Sequence, residues 1–226
     1  MFHVKHREGN AIILAALKQQ GVFLSKQQKE KLEEYVALVK EWNTKIHLVS
    51  KGDQNFIEER HILPSFLFYV ELQKLTPKSK PAIVDLGSGA GFPGVVLAIM
   101  LTEARIVLVE SSRKKALFLK KVCQELALNC EIENARFEEW VERKTGLIDV
   151  VVARAVASLE TLFVLTKPLL QKEKTILLTI KSCSQNEKIS EQLKRETKIE
   201  VLKNRFFEIS DYMKDKCILK MEYAHG

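Results

Sequence analysis

No apolar run in this chain approaches the ~18 residues that a membrane-crossing helix needs. The longest, "PGVVLAIML" from position 93, reaches about half that length and is helix-like. The first ten residues, "MFHVKHREGN", are basic but lack the extended apolar stretch of a secretory leader, so a cytoplasmic protein is expected. Its four cysteines, Cys123, Cys130, Cys183 and Cys217, form no C-x-x-C pair, which argues against structural zinc and against a disulfide framework. His3 and His6 could share a helix face, but no third ligand lies near them in sequence, and no metal is expected. Acid is the minority charge: 29 Asp and Glu against 36 Lys and Arg leave a net +7, a bias that suits a polyanionic partner. Glycine is scarce too, nine residues in 226, yet three of the nine stand at 87, 89 and 91.

What is present divides into two patterns. The first ~75 residues read as helical, with Leu32, Tyr35, Val36, Val39 and Trp42 at helical spacing and Ser25 placed as an N-cap. "FIEERHILPSFLFYVELQKL" is also helical in pattern, interrupted or restarted at Pro64, and "TPKSKP" reads as a linker. Beyond it, strand patterns at 82–86, 105–110, 130–134, 148–154 and 175–181 alternate with helical runs at 93–101, 112–127, 137–144 and 158–170. Such alternation predicts a parallel, doubly wound sheet covered on both faces. "KIEVLKNRFFEI" and "CILKMEYA", arriving almost back to back, predict a terminal antiparallel hairpin. The expectation is an α/β chain with a helical N-terminal extension (1–78) and a Rossmann-like domain (79–226), at 226 residues long enough for a full core.

The stretch "AIVDLGSGAGFPGVVLAIM" carries the chemistry. Its turn lacks the G-K-[ST] of a phosphate-gripping P-loop, and Phe92 stands where the dinucleotide fingerprint needs its third glycine. Asp85, two residues before Gly87, would repel a pyrophosphate but suits a cationic amino group, such as that of the methionine end of S-adenosylmethionine. Gly87, Gly89 and Gly91 let the backbone approach a ligand closely. Glu110 ends the second strand pattern, where a carboxylate can accept both ribose hydroxyls. The residues therefore point to S-adenosylmethionine as cofactor.

"DLGSGAGFPGVVLAI", "LVESSRKKALFLKKV", "NARFEEW" and "ARAVASL", with "VKEWN" and "RHIL" upstream, resemble the GidB/RsmG family over roughly residues 25–182. That resemblance implies a bacterial Rossmann-like S-adenosylmethionine-dependent methyltransferase acting on guanine N7 in small-subunit (16S) ribosomal RNA. It implies cofactor contacts from Gly87, Phe92, Phe137 and Glu138, with Arg154 beside the cofactor and the target base and Lys181 as a basic residue of the catalytic site. The chain departs from the family at His47-Leu48-Val49, where Asn-Leu-Thr is usual, at Pro64 in place of an Asp, and at Ser182 in place of a glycine. "QKEK" also replaces a proline-glycine turn. The cofactor half is intact and the substrate-facing half has drifted.

The chemistry agrees with an N7 acceptor. Guanine N7 is an in-plane lone pair without a proton, so transfer needs alignment and exclusion of water but no general base. Because the transfer leaves positive charge on the purine, Arg154 is expected to grip a phosphate, the guanine O6 or a carboxylate, not N7 itself. Five basic residues and no acid lie between 112 and 121. Arg113 and Lys120, like Lys114 and Lys121, share one side of a helix and could follow an RNA backbone. The alternatives are a cytosine-C5 methyltransferase using Cys183 as nucleophile, a catalytically drifted ribosome-assembly factor, and a small-molecule methyltransferase. A monomer working on ribosomal RNA or the small subunit, with no membrane partner, is the expectation.

Overall fold

The chain in its computed structural model is described over residues 13–75, 80–182, 190–202 and 210–224. Seven strands, β1 (Ala82–Leu86), β2 (Arg105–Val109), β3 (Cys130–Glu133), β4 (Val150–Arg154), β5 (Ile176–Ser182), β6 (Thr197–Leu202) and β7 (Lys216–Tyr223), form one sheet in the order β3-β2-β1-β4-β5-β7-β6. The first five run parallel; β7 inserts antiparallel between β5 and β6, making the expected terminal hairpin. Five helices cover the sheet: α3 (Gly94–Met100), α4 (Arg113–Glu125), α5 (Phe137–Arg143), α6 (Leu159–Glu173) and α7 (Glu191–Glu196). Before them come α1 (Lys26–Trp42) and α2 (Leu63–Leu75).

Because side chains alternate along a strand, the sheet divides its residues between two cores. Ile83, Ile106, Leu108, Val150, Val152 and Leu178 pack on one face, with α1 to α4. Val84, Leu86, Val107, Val109, Val151 and Leu177 pack on the other, with Phe137, Trp140 and the residues of α6. The strands are near-continuous apolar runs because both faces are covered.

The helical N-terminal segment belongs to the first of these cores. α1 begins at a capping box, in which the Ser25 hydroxyl accepts the Gln28 N–H and the Gln28 side chain accepts the Ser25 N–H. Its stripe of Leu32, Tyr35, Val36 and Val39 is buried, as the spacing predicts. Every residue of α3 is buried, since α3 is enclosed between the sheet and the N-terminal helices. The expected boundary at 78/79 lies outside the described residues, but the cores on either side of it are continuous.

Pro64 does not break the chain into two helices. A π turn at Glu58–Ile62, closed by the Leu63 N–H donating to the Glu58 carbonyl, runs directly into α2. Proline has no N–H to give the carbonyl four residues back and its ring crowds that carbonyl, so the helix widens there. The carbonyl released in this way is that of Arg60.

Candidate active site

Strand register aligns the site. Leu86 pairs with Val109 on one side and Ala153 on the other, and Arg154 pairs with Ile180. The next residues, Gly87, Glu110, Arg154 and Lys181, therefore stand along one carboxyl edge, at the point where strand order reverses between β1 and β4.

On the cofactor side the glycine turn is held by acids that accept main-chain N–H groups. The Glu110 carboxylate, 7% exposed, takes the Gly89 N–H at 2.7 Å on one oxygen and the Ser112 N–H at 2.7 Å on the other. The Asn134 amide donates to the Glu110 carbonyl at 2.9 Å. Each carboxylate oxygen retains a lone pair, so Glu110 can still accept ribose hydroxyls. Asp85, 1% exposed, accepts the Gly94 N–H at 2.9 Å at the base of α3. Burial raises its pKa to about 7, with the Gly94 bond, Ser88 and Arg154 pulling it down and Glu110 pushing it up. A Cβ on Gly94 would lie 2.3 Å from Leu108 Cδ2 and 2.6 Å from Asp85 Oδ2, so this bond requires glycine. Gly91, at φ +97°, is closed in as well: a Cβ there would meet Val95 at 2.5 Å and the Tyr35 hydroxyl at 2.9 Å. Gly89, by contrast, has only the Gly87 carbonyl near its missing side chain, at 3.8 Å. Gly89 and Glu110 together offer open space beside main chain and a hydroxyl acceptor, which fits a nucleoside without phosphates.

On the other side of β1 the side chains take over. Arg154 follows Val150 and Val152 in parity, so it faces the N-terminal helices. Its Nη1 donates to the Arg60 carbonyl at 3.0 Å, the acceptor that Pro64 released, and its Nη2 lies 2.6 Å from His61 Nδ1. Arg154 has only donors, so His61 Nδ1 accepts and the proton sits on Nε2, which faces Asp53 Oδ2 at 3.5 Å. Burial, then the Arg154 charge, lowers the His61 pKa to about 3; Asp53 opposes both. The His61 ring stacks on Phe92 at 5.0 Å, the Arg154 guanidinium lies 5.4 Å over the same ring, and Tyr35 packs against it at 5.1 Å. Tyr35 also donates to the Ala90 carbonyl at 2.7 Å, tying α1 to the glycine turn. Three donors here, Arg60 Nε, His61 Nε2 and Arg154 Nε, are buried without a hydrogen-bond partner.

The remaining expected residues are placed as follows. Lys181 stands on the edge but on the opposite face from Arg154, and its Nζ donates to the Ala157 carbonyl at 2.5 Å. Phe137 packs its ring on Trp140 in the second core, whereas Glu138 is exposed in the first turn of α5. Arg113, Lys114, Lys120 and Lys121 are all exposed, as their spacing predicts. Only Arg113 and Lys114 sit at the edge; seven residues of helix carry Lys120 and Lys121 ~10 Å away from it. Cys183, His3 and His6 lie outside the described residues. Among the described residues no cluster could hold a metal, and no helix is long and apolar enough to cross a membrane. Tyr35, Asp53, Arg60, His61 and Gly94 were not singled out as site residues from sequence, although "RHIL" and the F-P-G ending marked two of the segments.

Comparison with known proteins agrees with this geometry. A solved structure of a MtNAS variant in complex with S-adenosylmethionine superposes with a TM-score of 0.57 at 16% identity, covering 87% of this chain and 72% of that one. An rRNA methylase from Streptococcus thermophilus gives 0.51 at 10% identity, covering 70% and 95%. At such identities these likenesses establish the fold alone, a Rossmann-like α/β fold. Sequence relatives are nearer. Ribosomal RNA small subunit methyltransferase G of Cereibacter sphaeroides is 41% identical over 150 residues, 64% of this chain and 69% of that protein. Its namesake from Streptococcus pyogenes serotype M5 is 33% identical over 178 residues, 77% and 74%. The family model described as GidB, rRNA small subunit methyltransferase G, matches residues 28–215, and the chain belongs to that family.

Proposed function

We propose that this chain transfers the methyl group of S-adenosylmethionine to N7 of a guanine in small-subunit (16S) ribosomal RNA. The observation that carries the reading is the register that sets the glycine turn with Glu110 on one side of the switch point and Arg154 on the other. Bound there, S-adenosylmethionine supplies a methyl group on a sulfonium that needs only a well-aligned nucleophile. Glu110 accepts the ribose hydroxyls, the open flank of Gly89 admits the nucleoside, and Asp85 lends the pocket its anionic character. Arg154, held by the Arg60 carbonyl and His61, keeps its remaining donor capacity for the guanine O6 or a phosphate. His61 cannot serve as a base: its Nδ1 lone pair is engaged and its pKa of about 3 leaves it a feeble proton acceptor. That fits an N7 acceptor, which has no proton to remove. Lys181, beneath the 155–158 loop, is assigned to holding that loop and not to the transfer itself. The helical segment before residue 79 supplies one wall of the site.

The test is methyl transfer from labelled cofactor to purified small-subunit RNA, followed by reductive strand cleavage, which is selective for N7-methylguanine. Label in 7-methylguanosine at one cleavage position is expected. Label in a cytosine that is abolished by Cys183→Ser would establish the nucleophilic reading, and no label in either RNA or intact subunits would leave a binding protein.

A further inference from the structure

Arg60, whose carbonyl holds Arg154, also has two aromatic rings beside its side chain. We infer that Phe56, Arg60 and Tyr212 form a stacking site for an unpaired base of the RNA beside the target guanine, an inference that rests on RNA being the substrate. Arg60 gives its carbonyl to Arg154 and sends its side chain outward between two rings, with Cζ 4.5 Å from the Phe56 centroid and 5.8 Å from that of Tyr212. Phe56 and Tyr212 remain 38% and 37% exposed, and Lys216 Nζ lies 5.4 Å over the Tyr212 ring. Two aromatic rings that keep over a third of their surface in water, interleaved with cations at the rim of a site, match the way proteins hold splayed single-stranded bases.

The electrostatics favour a base over a phosphate. Arg60 Nη1 is already 2.7 Å from Asp53 Oδ1 and 3.3 Å from the Gly52 carbonyl. Its charge is therefore largely answered within the protein, and its plane is fixed. What the cluster still offers is the water-exposed part of two aromatic rings beside fixed cations, which a nucleobase can pack against and a phosphate cannot. The site is distinct from the α4 stripe, which offers charge without rings.

The experiment measures binding of the full chain to a labelled single-stranded RNA oligonucleotide and to its abasic counterpart by fluorescence anisotropy. Phe56→Leu and Tyr212→Leu keep apolar volume but remove the π face; each is expected to weaken RNA binding about fivefold or more. Phe56→Tyr and Tyr212→Phe are expected to retain wild-type affinity, which separates stacking from a fold defect. The abasic RNA is expected to bind all variants equally. Less than a twofold change with the Leu variants, or an equal loss with abasic RNA, would overturn the inference. Methylation of guanine N7 followed in the same preparations tells the two readings apart: a wild type that methylates no guanine yet distinguishes RNA from abasic RNA contradicts the proposed function alone.

Discussion

The two flanks of β1 are built on different principles. Toward β2, the Glu110 and Asp85 carboxyls accept the N–H groups of Gly89, Ser112 and Gly94, so the turn is fixed by main chain before a ligand arrives. Toward β4, side chains make the contacts, and Arg60 Nε, His61 Nε2 and Arg154 Nε are buried without a hydrogen bond. An unanswered buried donor costs about 1–3 kcal/mol. The cofactor flank is thus tied through main-chain N–H groups, whereas the other flank keeps three side-chain donors short of a full hydrogen bond, His61 Nε2 lying 3.5 Å from Asp53 Oδ2. Of the departures from the family pattern, Pro64 bears on the second flank, because the Arg60 carbonyl it leaves open is the one that Arg154 takes.

That contrast is broken most severely by Gly94→Ala. Its Cβ has no room against Leu108 and Asp85, so α3 must shift and the Asp85 bond is lost. Overpacking alone destabilises by about 1–3 kcal/mol; a lower melting temperature and loss of cofactor binding in calorimetry are expected. Glu110→Ala comes next. It removes two charge-assisted bonds of about 1.5–3 kcal/mol each, and cofactor affinity should fall by two orders of magnitude or so while RNA affinity holds. His61→Leu should act on the opposite flank, raising the KM for RNA about tenfold with cofactor affinity unchanged, and His61→Asn should restore much of it because an amide oxygen can replace Nδ1 as acceptor. Lys120→Ala with Lys121→Ala should change RNA binding less than twofold, since both sit well down α4 from the edge.

The pH dependence of stability sharpens the same contrast, because the two flanks titrate in opposite senses. Asp85 has its pKa raised to about 7, so its contribution is full below the ordinary carboxylate range near 4 and is lost as pH rises toward 7. His61 has its pKa lowered to about 3, so its contribution is full above about 6.5 and is lost as pH falls toward 3. Between about pH 4 and 6.5 the two slopes oppose each other. Asp85→Asn should unmask a melting temperature that rises with pH across this window, and His61→Asn one that falls.

Much of this was legible in the sequence, and the limits have physical causes. The five parallel strands, the hairpin and Glu110 follow from local periodicity and from the spacing of an acid after a glycine turn. Ser25 was legible because capping is a four-residue affair. The Arg154 bracket was not, since His61 and Arg60 meet it across 93 and 94 residues of chain. Tyr35 sat in an apolar stripe that gave no hint of its hydroxyl bond to Ala90. Pro64 reads in sequence as an interruption or a restart, because a π widening that keeps the helix going leaves the same trace. The separation of Arg154 from Lys181 follows from strand parity once the register is known: Val150, Val152 and Arg154 share one face, and Leu177, Thr179 and Lys181 share the other.

Steady-state methyl transfer with cofactor and RNA varied independently, for wild type, Glu110→Ala and His61→Leu, tests the division of labour most directly. Glu110→Ala is expected to raise the KM for S-adenosylmethionine with that for RNA within twofold, and His61→Leu to do the reverse. If either substitution moves both constants alike, the two flanks are one coupled unit and the account is wrong.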